Sequence, residues 1–252
     1  MMRLLFLLLF STALLFGEDL AADFFNQGNR FYEKGRYDSA LVCYDKVLSL
    51  GRHDSRVYYN KGNAHFRKKE LGLAILNYEI ARKLNPSDPD ILDNLRFSYA
   101  ARKDKIIPVR PVFVYRVVLF LHDFVSLRAQ ETFFLSLLFL TCGLFILFLF
   151  ARPERRSRSL FFAVLFSGLL ALCAVSLFVK IQRDRHEKRA VLLSPRADVR
   201  NEPDGGQILF SVHEGAVFKV ERRIGTWVLG SLENGLSGWV PEDKLGMIEI
   251  SE

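Results

Sequence analysis

Two stretches of twenty residues without a charged side chain, Thr132–Ala151 and Leu160–Val179, constrain this chain more than any other feature. At about 1.5 Å per residue, each makes a helix of about 30 Å, the thickness of a bilayer's hydrocarbon core. Neither run keeps the polar stripe that a helix buried in a soluble protein turns to water. Residues 152–159 between them read Arg152-Pro153-Glu154-Arg155-Arg156-Ser157-Arg158-Ser159, a tight turn with four arginines. Short arginine-rich loops stay on the cytoplasmic side, so residues 132–151 and 160–179 are expected to form a transmembrane hairpin with both ends exported.

The N-terminus agrees. Met1-Met2-Arg3 precede an apolar run from Leu4 to Phe16, followed by Gly17-Glu18-Asp19. This is the pattern of a secretory signal at residues 1–17, cleaved after Gly17 or retained as an anchor. Lys180, Arg183, Arg185, Lys188 and Arg189 follow the second run within residues 180–189 and argue for the opposite orientation. The first apolar segment usually dominates, so the exported reading is kept. Residues 105–131 make a linker in which Val112 to Val125, interrupted by Arg116, His122 and Asp123, reads as an amphipathic helix lying on the membrane.

The net charge of +7 is a consequence of this layout. Residues 18–104 carry +2 and residues 190–252 carry −4, whereas residues 105–189 carry +8. The basic excess therefore flanks the apolar runs and suits lipid headgroups. Neither soluble region is basic enough for many phosphate contacts, which excludes nucleic acid as the expected partner.

Residues 18–104 repeat at an interval of 34. Asn26 falls with Asn60, Gly28 with Gly62, Asn29 with Asn63, Ala40 with Ala74 and Tyr44 with Tyr78, without a gap. Aromatics match as well: Phe24 with Tyr58, Phe25 with Tyr59, and Tyr32 with Phe66. Each unit reads as two helices, broken near Gly35 to Tyr37 and near Glu70 to Leu71. Gly28 and Gly62 allow the helices to approach closely. A helix pair this short cannot bury its apolar face alone, so the units must stack. A third unit starts at Pro89 but has only its first helix, about Asp90 to Arg102.

The glycine, alanine, aromatic and proline spacing resembles the tetratricopeptide repeat. That resemblance implies a concave groove, lined by the first helix of each unit, that holds a peptide or a partner's helix. The groove positions would be Phe25, Asn29, Tyr32, Tyr59, Asn63, Phe66 and Arg67, with Asp90 and Asp93 at the edge. Rings supply contact area and amides pair with a peptide backbone. The same aromatics could instead pack on another part of this chain. Some relatives clamp a C-terminal carboxylate with two asparagines and three cations. Asn29 and Asn60 match the amides, but Phe25, Asp90 and Asn94 stand in place of the cations, which argues against a clamp.

From Ala190 the texture changes to alternating apolar and polar residues with Gly and Asn breaks. Five strands are expected, at Ala197 to Arg200, Ile208 to Val212, Ala216 to Arg222, Thr226 to Leu232 and Leu236 to Val240. Asn234-Gly235 is a strong hairpin signal. The segment 190–252 is similar to bacterial SH3-type domains, on Val199-Arg200, Pro203, Glu214-Gly215, Gly225-Thr226-Trp227 and Gly238-Trp239-Val240. Trp227 and Trp239 occupy the family's tryptophan positions, either as core of a small β-barrel or as a surface for proteins or peptidoglycan peptides.

No P-loop, GxSxG, HExxH or CxxC pattern occurs, and the five histidines are scattered singly. The three cysteines have no metal or disulfide spacing. No catalytic residue, metal site, cofactor or small-molecule substrate is expected. The fold class is thus a multidomain membrane protein: an all-α repeat, an α-helical hairpin and a small all-β SH3-like barrel. This order of parts resembles the BatE-type proteins of the Bacteroides aerotolerance (Bat) group. The resemblance implies a two-pass protein of a Gram-negative cytoplasmic membrane with both soluble domains in the periplasm. It also implies a scaffold in a complex with von Willebrand factor A proteins and a MoxR-type ATPase, with a part in stress tolerance. The alternative is a wall-binding anchor or sensor that holds peptidoglycan through its SH3-type domain.

Overall fold

The computed structural model describes residues 20–107, 127–150, 152–186 and 188–249. The signal at 1–17 and the interfacial helix at Val112 to Val125 lie outside these residues. The chain divides into two compact units, one made by the repeats with the C-terminal β domain, the other by the apolar helices.

Five helices form the repeat region: α1 (20–33), α2 (Tyr37–Ser49), α3 (Ser55–Arg67), α4 (Leu71–Leu84) and α5 (Pro89–Ala100). They make two helix pairs and a half unit, as the 34-residue interval requires. Asp54 caps α3 by accepting from the Arg56 N–H, and Asp88 caps α5 by accepting from Asp90 and Ile91. Such caps satisfy amides that have no partner inside the helix. The glycine spacing has a direct cause. A Cβ on Gly28 would stand 2.5 Å from the Tyr44 ring, and one on Gly62 would stand 2.5 Å from the Tyr78 ring. Each tyrosine of a second helix rests on the glycine of its own first helix. The turn between helices needs a left-handed residue, supplied by Gly35 (φ 71°) in the first unit and by Lys69 (φ 65°) one period later.

Seven strands, not five, follow: β1 (Lys188–Leu192), β2 (Arg196–Arg200), β3 (Ile208–His213), β4 (Val217–Ile224), β5 (Trp227–Leu232), β6 (Ser237–Pro241) and β7 (Leu245–Met247). They form one antiparallel sheet in the order β3-β2-β6-β5-β4-β1-β7. Leu192, Val199, Val212, Phe218, Leu232 and Val240 fill a single core from six strands. β1 escapes the sequence pattern because Lys188 and Arg189 look like part of a basic linker, and β7 because it is three residues long with a central glycine.

The repeats and the sheet share a second core, in which Ile75, Tyr78, Ile80, Ile91 and Leu95 cluster with Val191, Val217 and Ile248. Three glycines allow this approach. A Cβ on Gly72 would lie 2.7 Å from the Leu192 carbonyl oxygen. One on Gly215 would lie 2.7 Å from Ile75, and one on Gly246 the same distance from Leu76. Polar groups complete the junction. Glu70 gives α4 no side-chain cap, and the Gly72 N–H donates instead to Glu214 Oε1 at 2.7 Å. Asp104, after α5, accepts from the His213 backbone N–H at 2.6 Å and pairs with its ring Nδ1 at 2.8 Å. Glu79, only 2% exposed, receives Arg82 at 2.6 Å, the Tyr99 hydroxyl, and Arg189 of β1 at 3.2 Å. Burial alone would push the Glu79 carboxyl up, but the Arg82 and Arg189 guanidiniums hold it below the usual carboxylate range. The sheet thereby covers the apolar face of α4 and α5 and closes the stack, as a terminal cap must.

In the other unit, two apolar helices, Leu127–Phe150 and Pro153–His186, pack against each other with Leu137 and Ala163 buried between them. The second helix has 34 residues, about 51 Å of helix. Residues 153–159, read as loop, and 180–186, read as linker, therefore continue the helix at its two ends. Both helices are long and apolar enough to cross a membrane, and most of their large side chains, such as Phe139 and Leu172, are exposed.

Candidate functional site

Hydrogen bonds and ring contacts place the first helices α1, α3 and α5 side by side and give their shared surface a layered chemistry. In the middle runs a row of amides. Asn29 Oδ1 accepts from the Tyr44 hydroxyl at 2.9 Å and from Asn60 Nδ2 at 2.8 Å. One period on, Asn63 Oδ1 accepts from the Tyr78 hydroxyl at 2.7 Å and from Asn94 Nδ2 at 2.9 Å. Burial pushes the Tyr44 and Tyr78 phenols up, so both remain protonated and act as donors. With each Asn29 and Asn63 oxygen saturated, what these residues still offer is the amide N–H, beside the carbonyl oxygens of Asn60 and Asn94. The result is a donor next to an acceptor, repeated once per unit, which is the pairing a peptide group requires.

Rings flank the amides on both sides. Towards the helix N-termini stand Phe25, 6.1 Å from Tyr44, and Tyr59, 6.0 Å from Tyr78. Asn94 also donates to the Tyr59 hydroxyl at 3.0 Å. Towards the C-termini stand Tyr32, 5.4 Å from Tyr37, and Phe66, edge-on to Phe97 at 5.6 Å. Phe97 is 65% exposed, a large apolar surface for a repeat helix. The exposed Arg67 reaches the Tyr32 hydroxyl at 3.5 Å.

All seven groove residues named from the sequence thus lie on this surface, half-buried except for Arg67. Asn60, Asn94, Phe97 and Tyr37 belong with them. Asn60 and Asn94 follow the interval, falling 34 residues after Asn26 and Asn60. Phe97 was hidden because it falls where Asn63 and Asn29 stand in the earlier units.

The two tryptophans lie on neighbouring strands in different settings. Trp239 is buried on β6. Trp227 on β5 is half-buried, donates from Nε1 to Asp204 at 2.9 Å, and has the Arg200 guanidinium 6.0 Å from its ring. Among the described residues, no group of three His, Cys, Asp or Glu side chains could hold a metal ion.

Comparison with known proteins places the family model described as TPR repeat on residues 28–69. No curated protein matches the chain. Among solved structures, the first TPR of Spaghetti (RPAP3) bound to the HSP90 peptide SRMEEVD is 25% identical, covering 33% of this chain and 68% of that one, with a TM-score of 0.32. The NMR structure of the first TPR domain of the human RPAP3 protein is 22% identical over 32% of this chain and 91% of that one, with a TM-score of 0.24. The N-terminal region is a TPR repeat, a fold suited to binding proteins or peptides.

Proposed function

We propose that this chain is a membrane-anchored, non-enzymatic scaffold whose repeat groove captures an extended segment of a partner protein. The observation that carries this reading is the amide row, Asn29 with Asn60 and Asn63 with Asn94, set between two rows of rings. A row of donors and acceptors binds backbone regardless of sequence, and the rings on either side select apolar side chains. The two apolar helices anchor the protein in the membrane, with the arginine-rich connection inside the cell and both soluble regions in the periplasm. Anchoring raises the effective concentration of the groove for partners on the same surface. The order of parts favours a place in a Bat-type complex, whose other members would be the partners.

Replacing Tyr59 and Phe66 by Glu and crosslinking in cells tests the groove. Loss of specific crosslinked partners is expected, and an unchanged partner set would refute it. Reporter fusions at residue 155 and at the C-terminus test the sidedness: a cytoplasmic signal from the first and a periplasmic signal from the second are expected.

A further inference from the structure

The period of 34 residues compares the two ends of the groove position by position. In the first unit Phe25 lies under a cation, since the Arg56 guanidinium stands 5.8 Å from its ring centre. Arg56 is held there by Asp54, Nη2 to Oδ2 at 2.9 Å and Nε to Oδ1 at 3.1 Å. Ring, cation and carboxylate form a completed set. One period later the ring is Tyr59 and the carboxylate is Asp88, but the position of Arg56 is taken by Asp90. The second set therefore has a ring and two carboxylates, with no cation at the position equivalent to Arg56.

The local charges agree. Burial is the largest cause that raises the Tyr59 phenol, and the charges of Asp90 and Asp88 add to it. Among the described residues the Asp88 side chain bonds to the Asp90 and Ile91 amides and to Asn85. Among the described residues no Lys or Arg pairs with Asp88 or Asp90. Arg96, the nearest cation along α5, is engaged with Asp93 at 2.7 Å. Asp38, Asp45 and Asp54 by contrast have cation partners, in Lys68, Lys61 and Arg56.

We propose that the Tyr59 end of the groove takes a Lys or Arg side chain from the bound segment, its cation lying over Tyr59 and between Asp88 and Asp90 as Arg56 lies over Phe25. The occupant is thus an extended stretch of a partner protein with a basic residue at one fixed position and apolar residues beside it. This rests on the groove reading and specifies its ligand. A cation over an aromatic face with a carboxylate beside it adds affinity without requiring deep burial.

The test selects a randomised ten-residue peptide library, displayed on phage, against the detergent-solubilised full chain. Parallel selections use Asp90→Arg, Asp90→Asn and Phe66→Glu, each checked for unchanged helical circular dichroism. Expected are peptides with Lys or Arg enriched at one position, whose affinity falls about tenfold on Asp90→Arg, less on Asp90→Asn, and is abolished by Phe66→Glu. Peptides that depend on Phe66 but show no basic position, or bind Asp90→Arg equally well, would overturn this inference and leave the groove standing. Recovery of no peptide that depends on Phe66 would overturn both.

Discussion

The Glu79 carboxylate and the Arg189 guanidinium meet at 3.2 Å, which ties the second helix of the second repeat to the first strand of the β domain. Arg189 continues to Glu233 at 3.3 Å, so one side chain bridges α4 and the β5–β6 turn.

Replacing Glu79 with Gln would leave Arg82 and Arg189 without their shared counter-charge in a buried position. Arg82 is 37% exposed and Arg189 keeps Glu233, so the cost stays below that of a fully buried pair, about 1–3 kcal/mol. The denaturation midpoint of the solubilised protein should fall, with tryptophan fluorescence from the β domain and near-ultraviolet signals from the repeat tyrosines moving together. Separate transitions in the wild-type protein would show that the shared core does not couple the two.

The same residue sets an acid limb. Its folded carboxyl lies below the ordinary glutamate value because the two guanidiniums outweigh burial. Its contribution is therefore fully present above about pH 4.3 and is lost as pH falls through the lower, folded value. Denaturation midpoints measured from pH 7 to pH 3 should decline in the wild type and decline less in Glu79→Gln. Asp54 and Glu70, also held low by their neighbours, leave a residual slope in the variant.

Gly62→Ala should destabilise the repeats by about 1–3 kcal/mol, because the new methyl group meets the Tyr78 ring. That ring is buried and its hydroxyl is tied to Asn63, so it cannot swing aside without releasing the amide row. Gly28→Ala should act in the same way through Tyr44 and Asn29. Thermal melts of the two variants check the pair, and an unchanged melting temperature in both would show that the rings are free to move.

Lys69→Gly should stabilise by about 1 kcal/mol, since a side chain in the left-handed region carries a penalty of that order. Lys69 is exposed and its equivalent in the first unit is already Gly35, so no packing is lost. A rise in the chemical midpoint is expected, and a fall would mean that the lysine side chain contributes more than its backbone costs.

Local regularities were readable from the chain. The interval exposed the helix pairs because packing of Tyr44 on Gly28 recurs as Tyr78 on Gly62. The apolar runs exposed the two long helices by length alone. Alternation exposed β2 to β6, each of which has one face on a core. What escaped depends on distant partners. Glu79 and Arg82 look like an ordinary surface pair three residues apart, and their partners Tyr99 and Arg189 are 20 and 110 residues from Glu79. Gly72, Gly215 and Gly246 look like routine breakers, yet each lies where a helix and the sheet nearly touch. The groove positions Phe25, Asn29, Tyr32, Tyr59, Asn63, Phe66 and Arg67 were implied by the resemblance to the tetratricopeptide repeat, whereas Phe97 is where the third unit departs from the interval.

The β domain seated on α4 and α5 has a bearing on how this array could change over time. Solenoids lengthen by tandem duplication, which needs an end that accepts another copy. Here that end is occupied by Val191, Val217 and Ile248, so an inserted copy would have to rebuild the seat for the sheet as well as its own contacts.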